Sequence, residues 1–137
     1  GPGSFSGIRI ALAVSKGIQL VKKLNIYSYN DFILNACSYL KKAETLISII
    51  KTNNFYYYLE VTTGKNPKFT APKRLEASFM ETNKSLIVVS QELKNDDIVK
   101  DIDKKKVFIA EFDLKNVDIL IEKNLLENKL IKPLYLS

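Results

Sequence analysis

The sequence predicts an α/β protein with a mixed β-sheet and flanking helices. Segments with the apolar spacing of a helix alternate with short apolar runs that are typical of buried strands. Two segments rich in β-branched and aromatic residues, 45–52 and 55–63, are separated only by Asn53 and Asn54, which indicates an antiparallel hairpin. Because a hairpin interrupts the alternation of helices and strands, we expect parallel and antiparallel pairing within one sheet.

The composition is that of a globular protein, and it excludes several classes of chemistry. The 137 residues, 46% hydrophobic and 26% charged, are enough for one domain with a core. The chain contains no histidine, which excludes histidine-based catalytic triads and removes the commonest zinc ligand. Cys37 is the only cysteine, and its place on a predicted helix favours a small core residue over a nucleophile. We therefore predict no cofactor, no metal and no catalytic residue.

The net charge of +6 comes from an excess of lysine, because only Arg9 and Arg74 are arginines. Arginine is the side chain that binds phosphate groups bidentately, so an excess of lysine is a weak sign of nucleic-acid binding. No apolar stretch approaches the roughly 20 residues that cross a membrane, and no segment has the pattern of a signal peptide. We therefore expect a cytoplasmic protein without membrane contact.

The first predicted helix covers residues 7–24. Its apolar and small residues recur at three- and four-residue steps and share one face. This face consists of Ile10, Ala11, Val14, Gly17, Ile18 and Val21. Glycine within a helix costs about 1 kcal/mol relative to alanine, so Gly17 indicates that another backbone approaches closely there. The pattern predicts a packing surface.

The remaining elements follow from apolar spacing, β-branched content and turn residues. In chain order they are an extended segment at 25–29, a helix at 31–42, the hairpin, a loop at 64–72, a short helix at 74–82, strands at 85–90 and 106–112 with a polar segment and one or two amphipathic turns between them, a helix at 113–129 and a terminal strand at 134–136. The buried face of the last helix is expected to be Val117, Leu120, Ile121 and Leu125, with Leu126 at its margin. Its water-facing residues are expected to be Glu122, Lys123 and Glu127.

Two groups of side chains are candidate binding sites. The run Tyr56 to Tyr58 could stack on nucleic-acid bases, but strand alternation places Tyr57 on one face and its neighbours on the other, which favours packing. Four aspartates lie close together downstream: Asp96, Asp97, Asp101 and Asp103. Interleaved lysines and the absence of a glycine turn in this segment favour a solvated face over a metal site.

Three glycines, at positions 1, 3 and 7, precede the first predicted helix, as in loops that bind phosphate groups. A P-loop requires Gly-Lys-Ser or Gly-Lys-Thr in the zone that Ser6, Gly7 and Ile8 occupy here. A dinucleotide-binding loop requires a glycine where Ser6 stands. The spacing therefore argues against nucleotide binding by this loop.

The opening segment GPGSFSGIRIALAVSKGIQL, residues 1–20, closely resembles the signature GPGSFTGxRIGLAxAKGLA of the TsaB (YeaZ) family. Twelve positions match: Gly1, Pro2, Gly3, Ser4, Phe5, Gly7, Arg9, Ile10, Leu12, Ala13, Lys16 and Gly17. IYSYNDFILNA at 26–36 also resembles a strand and helix of the family, and PLYLS at 133–137 resembles its closing P-x-Y-L-R motif. The departures include Ser6 for threonine, Ala11 for glycine, Ser137 for arginine, and KTNNFYYY at 51–58 where the family has D-A-R/K-x-x-E-V-Y.

The resemblance implies an actin-like fold (ASKHA, ribonuclease H-like) of two similar α/β domains. Residues 1–43 would be the remnant of the first domain, and residues 44–137 would be the second domain plus the closing segment. In the family, strands and a first helix precede the motif, so the resemblance also implies truncation at the N-terminus. For Gly1 to Ser4, native sequence is favoured over a cleavage remnant because the motif continues into Phe5.

The resemblance further implies a subunit without chemistry of its own. Proteins of this family are the non-catalytic partner of TsaD, a glycoprotease-like protein, and act with the ATPase TsaE in adding a threonylcarbamoyl group to an adenosine of tRNA. The expected partner is therefore a TsaD-like protein, with a TsaE-like ATPase and tRNA reached through the complex. The helix at 7–24 corresponds to the dimerisation bundle of the family. Its apolar face would lack the cover of the missing first helix, and burying each such side chain is worth about 1.5 to 3 kcal/mol, so we expect a homodimer or a partner complex rather than a monomer.

Two other functions remain open. The first is a glycoprotease-like peptidase or ATPase, although metal-dependent hydrolysis in that superfamily relies on a histidine pair and this chain has none. The second is a basic module that contacts tRNA, with phosphate contacts from Lys65 to Arg74 and from Lys104 to Lys106. Salt-sensitive tRNA binding by the isolated chain distinguishes this second alternative.

Overall fold

The computed structural model describes residues 31–100, 102–111, 114–123 and 125. These residues form a mixed sheet with flanking helices, which confirms the predicted mixed α/β class. Three predicted elements lie outside the described residues: the helix at 7–24, the extended segment at 25–29 and the terminal strand at 134–136.

The sheet joins an antiparallel half to a parallel half. Its strands are β1 (Thr45–Thr52), β2 (Phe55–Thr62), β3 (Lys68–Phe69), β4 (Lys73–Arg74), β5 (Leu86–Val89) and β6 (Val107–Ile109). Their order is β3-β2-β1-β5-β6, and β4 pairs with β2 on the same edge as β3. β2 runs antiparallel to β1, β3 and β4, whereas β5 runs parallel to both β1 and β6.

Four α-helices and three 3-10 turns are present in the described residues. They are α1 (Asp31–Ala36), α2 (Ala77–Thr82), α3 (Asp97–Lys100) and α4 (Leu114–Glu122), with 3-10 turns at Cys37–Tyr39, Gln91–Leu93 and Lys104–Lys106. α1 and the 3-10 turn that continues it cover most of the helix predicted at 31–42. α2 is shorter than the predicted helix at 74–82, because Lys73 and Arg74 pair with β2 instead.

The β1–β2 hairpin has the predicted position and turn. Every residue of β1 has a partner in β2. Asn53 in the turn has a φ of 56°, a left-handed conformation that asparagine tolerates better than most residues. The tyrosine run alternates as predicted, because Tyr57 packs on one face of the sheet and Tyr56 and Tyr58 pack on the other.

Each face of the sheet carries its own hydrophobic cluster. We call the side covered by α1 the α1 face and the opposite side the α2 face. The α1 face consists of Leu46, Ile50, Tyr57, Leu59 and Val61, packed against Phe32, Ala36 and Leu40. The α2 face consists of Ile47, Ile49, Tyr58, Ile87 and Val89, packed against Leu93.

A buried hydrogen bond joins α1 to the central strand. Ser48 of β1 is fully buried on the α1 face, and its Oγ donates to the backbone carbonyl oxygen of Phe32 at 2.8 Å. The buried hydroxyl group is thereby satisfied, as polar groups in a core must be. This bond fixes the position of α1 over β1.

The buried face of α4 differs from the predicted one at Ile121. Leu120 is buried as predicted, but Ile121 is 62% exposed, so the prediction for Ile121 was wrong. Asn116 is buried as well, and it lies about one turn from Leu120 on the same side of the helix. The Oδ1 of Asn116 accepts a hydrogen bond from Ser38 at 2.8 Å, and its Nδ2 donates to the carbonyl oxygen of Glu111. Because Asn116 is polar, a search for apolar spacing does not identify it as a buried position.

Candidate functional site

The residues predicted to bind a partner lie outside the described residues. They are the face of Ile10, Ala11, Val14, Gly17, Ile18 and Val21 and the motif loop of Gly1, Pro2, Gly3, Ser4, Phe5, Gly7 and Arg9. Their roles stay predictions. The structure brings together three other groups of polar or exposed side chains, at Asp96, at the tip of the β1–β2 hairpin and in a groove beside α4.

Asp96 joins the hairpin to the segment before α3. It accepts a hydrogen bond from the Tyr56 hydroxyl at Oδ1 and from Lys51 Nζ at Oδ2, the latter at 3.3 Å. The backbone N–H of Ile98 also donates to Oδ1, at 3.1 Å. The side chain of Asp96 is only 15% exposed. The predicted solvated face is therefore wrong at Asp96, because partners 40 and 45 residues away in the chain surround its carboxylate.

The electrostatics of this cluster hold each group in its usual charge state. The hydrogen bond from Tyr56 lowers the pKa of Asp96, with smaller contributions from the Ile98 N–H and from Lys51. The same contacts with Asp96 raise the pKa of both Lys51 and Tyr56. The Asp96 carboxylate already accepts from three donors, and Tyr56 and Lys51 keep their protons. The cluster is therefore a structural tie rather than an acid–base pair.

The other aspartates match the predicted solvated face where they are described. Asp97 and Asp103 are exposed, Asp97 accepts from Lys100 at 3.0 Å, and Asp103 accepts from the backbone N–H of Lys105 at 3.1 Å. Asp101 lies outside the described residues. Within the part of the chain that the structure describes, no three carboxylate, histidine or cysteine side chains are grouped to hold a metal ion.

The hairpin tip carries an exposed aromatic ring covered by a guanidinium group. Phe55, the first residue of β2, is 42% exposed, and Arg74 of β4 is exposed as well. The Cζ atom of Arg74 lies 3.7 Å from the centroid of the Phe55 ring, which is a close cation–π contact. Arg74 pairs with Tyr57 in the sheet, and Phe55 lies two residues before Tyr57, so both side chains are on the α1 face.

Sequence reasoning missed this pair. It placed Phe55 in a strand and Arg74 in a helix, and the two residues became neighbours only through the pairing of β4 with β2. The signal available in the sequence was alternation, which puts Phe55 on the same face as Tyr57. Nothing in the local sequence indicates that Arg74 pairs with Tyr57.

Several exposed cations lie along the edge of the sheet that β3 and β4 form. They are Lys65, Lys68, Lys73 and Arg74. The ion pairs among the described residues are Lys51 with Asp96 and Lys100 with Asp97, so none of these edge cations is paired with a carboxylate. Lys104 to Lys106 form a second exposed group, in the 3-10 turn before β6, and no aromatic contact of the described residues involves them.

A groove of about 820 Å³ lies beside α4. Its walls include Cys37, Leu40, Ile119 and Lys123. Burial raises the pKa of Cys37 to about 11, so its thiol stays protonated, and its predicted role as a small core residue is confirmed. Lys123, which was expected to face water, is half-buried and donates to the carbonyl oxygens of Gly64 and Lys65, both at 3.3 Å.

Among the described helices, none has both the length and the apolar character needed to span a bilayer. The chain matches no protein-family model, no curated protein and no solved structure among those compared. Function is therefore inferred from the residues of the chain and from the geometry described above.

Proposed function

We propose that the chain is a TsaB-like accessory subunit that binds a TsaD-like protein in the threonylcarbamoyladenosine modification of tRNA. The observation that carries this proposal is the segment 1–20, in which twelve positions agree in register with the family signature. A match that includes glycine, proline, arginine and lysine at fixed spacing is more specific than apolar periodicity. We assign no catalytic residue to the chain and no activity apart from the complex.

The arrangement of the sheet supports the finer fold that this proposal includes. β1, β2 and the β3/β4 edge form an antiparallel meander, and β5 and β6 join on the other side of β1 in parallel. This is the arrangement expected of an actin-like domain. In the proposal, residues 44–137 belong to the second such domain with its closing segment, and residues 1–43 belong to the first. On this division α1 belongs to the first part of the chain and packs its apolar side on the sheet of residues 44–137.

The partner-binding surface in this proposal is the face of the helix at 7–24, centred on Val14 and Ile18. The test is co-purification with a tagged TsaD-like protein expressed in the same cells. The wild-type chain is expected to co-purify, whereas Ile18→Glu places a charge on the proposed interface and should reduce recovery at least about tenfold, since a buried unpaired charge is costly. Failure of the wild-type chain to co-purify would show that the proposal is wrong.

The structure offers a matched control for this experiment. Ile121→Glu is the same substitution in another helix, at a position that is already 62% exposed. It should co-purify like the wild-type chain. If Ile18→Glu also co-purifies like the wild type, the helix at 7–24 is not the binding surface. Light scattering adds an independent check, because a monodisperse monomer of the isolated chain would contradict self-association through this apolar face.

A further inference from the structure

We propose that Phe55 and Arg74 form a stacking site for a base of single-stranded RNA, with the neighbouring edge lysines attracting its phosphates. The site is distinct from the proposed partner-binding helix, and the inference does not rest on the proposed function. An exposed ring, a close guanidinium group and cations without carboxylate partners occupy one end of the sheet.

Phe55 is the only exposed aromatic residue among the described residues. Phe32 is fully buried, and Phe79 and Phe108 are half-buried. An exposed aromatic residue at a hairpin tip loses the hydrophobic stabilisation that its burial would supply. Exposed aromatic side chains are the usual platform on which unpaired bases stack.

Arg74 places a guanidinium group beside this ring. Its guanidinium group lies in contact with the ring of Phe55, and no hydrogen bond or ion pair of the described residues uses its N–H groups. Arginine has five such donors in a planar arrangement that fits a phosphate group, and its plane also stacks on bases. Contact with Phe55 limits the orientations of the guanidinium group, so less conformational entropy is lost when a ligand binds.

The segment that forms the β3/β4 edge is rich in cations. The segment 64–76 contains four cations, Lys65, Lys68, Lys73 and Arg74, and one carboxylate, Glu76. The β3/β4 edge runs from the position opposite Tyr57 to the position opposite Thr62, which spans about 17 Å. Charges spread over this length suit a polyanion better than a single small anion. Lys68 and Lys73 pair with residues of the opposite face, so they contribute through longer-range attraction, which extends about 8 Å in physiological salt.

The β3/β4 edge is poorly suited to pairing with a strand of another chain. Pro67 and Pro72 flank the short strands β3 and β4, and proline has no N–H to donate to an added strand. Prolines and lysines at a sheet edge disfavour pairing with another chain. Recognition here therefore depends on side chains, and the side chains present are a ring, a guanidinium group and ammonium groups.

The test uses a fluorescein-labelled single-stranded RNA of about 12 nucleotides at about 50 mM salt, with fluorescence anisotropy as the readout. Stacking of one base is worth about 1 to 3 kcal/mol, so Phe55→Ala should weaken binding roughly 5- to 150-fold. Arg74→Lys keeps the charge but loses the planar group, and it should also weaken binding at least about fivefold. Lys104→Gln removes one exposed charge far from the ring and should change binding less than about threefold.

A second readout reports stacking directly. The chain contains no tryptophan, so Phe55→Trp introduces a single tryptophan whose fluorescence should be quenched when the RNA binds. Ile121→Trp is the control at another exposed position and should stay unquenched. Unchanged affinity of Phe55→Ala, an equal loss in Lys104→Gln and Arg74→Lys, or an unquenched Phe55→Trp would each overturn the proposal. Phe55→Ala and Arg74→Lys should still co-purify with the TsaD-like protein, so the two proposals fail separately.

Discussion

The two faces of the sheet are covered in different ways. On the α1 face, Phe32 and Ala36 of α1 are fully buried. On the α2 face, neither α2 nor α3 contains a buried residue, and their apolar side chains are only partly buried against the cluster. The strand side chains are thus buried on both faces, but only on the α1 face does the covering helix itself contain fully buried side chains.

Helix length explains the difference. Phe32, Ala36 and Leu40 recur at four-residue steps through α1 and its 3-10 continuation, so they form one line along the sheet. α2 has six residues and α3 has four, so each presents only one or two apolar side chains to the sheet. Regions with few buried contacts open first, so we expect the backbone amides of α2 and α3 to exchange faster than those of α1.

The largest expected effect compares one phenylalanine from each face. Phe32→Ala removes a fully buried ring and should lower the free energy of unfolding by about 3 to 5 kcal/mol. Phe79→Ala removes a half-buried ring that stacks on Tyr58 with centroids 4.1 Å apart, and it should cost about 1 to 2 kcal/mol. Urea unfolding of both variants measures the ratio. Equal losses would contradict a difference between the faces.

The next effect tests the hydrogen bond beneath α1. Ser48→Ala removes the bond from Ser48 Oγ to the Phe32 carbonyl oxygen inside the core and should cost about 1 kcal/mol. Thr45→Ala is the matched control, because the Thr45 hydroxyl contacts the Ser85 hydroxyl at an exposed position. The control should change stability by less than about 0.5 kcal/mol. If both variants behave alike, the buried bond does not hold α1 in place.

A pH-dependent effect of similar size tests the tie on the α2 face. Tyr56→Phe removes the hydrogen bond to Asp96 and should cost about 1 kcal/mol near neutral pH. Because the folded-state pKa of Asp96 lies below the unfolded value of about 3.9, its carboxylate stabilises the fold above that pH, and this contribution is lost as pH falls through the folded pKa. The difference between wild type and variant should therefore shrink in acid.

Tyr58→Phe serves as the control for this pH series. Tyr58 is buried on the same face, and burial raises the pKa of its hydroxyl further above the ordinary tyrosine value, so it does not titrate in acid. Its effect on stability should be constant between about pH 3 and pH 7. A difference for Tyr56→Phe that does not change over this range would show that Asp96 is not its partner in solution.

The smallest expected effect concerns α4, whose Ile119 packs at the edge of the α1 face. Ile121→Lys should change the free energy of unfolding by less than about 0.5 kcal/mol, because Ile121 is exposed. Leu120→Ala, at the neighbouring buried position, should cost about 2 to 5 kcal/mol. A large loss for Ile121→Lys would mean that this side chain is covered in solution, for example by a partner or a second copy.

The hairpin and the mixed sheet could be predicted from the sequence because their signals are local. Asn53 and Asn54 mark the turn, and alternation assigns Tyr57 and Tyr58 to opposite faces without knowledge of any distant residue. The burial of Asn116 on α4 could not be predicted in this way. Asn116 is polar, and its burial depends on Ser38, which is 78 residues away in the chain.

The same distinction applies to the candidate sites. The segment 1–20, which supports the proposed function, could be recognised from the sequence because its signal is residue identity at fixed spacing. The tie at Asp96 and the contact of Arg74 with Phe55 arose only when strands and loops came together. Backbone preferences act between neighbours in the chain, and they determined the strands, the turn and the alternation of faces. Side-chain contacts act between neighbours in space, so only the tertiary structure decided which charges are paired and which ring stays exposed.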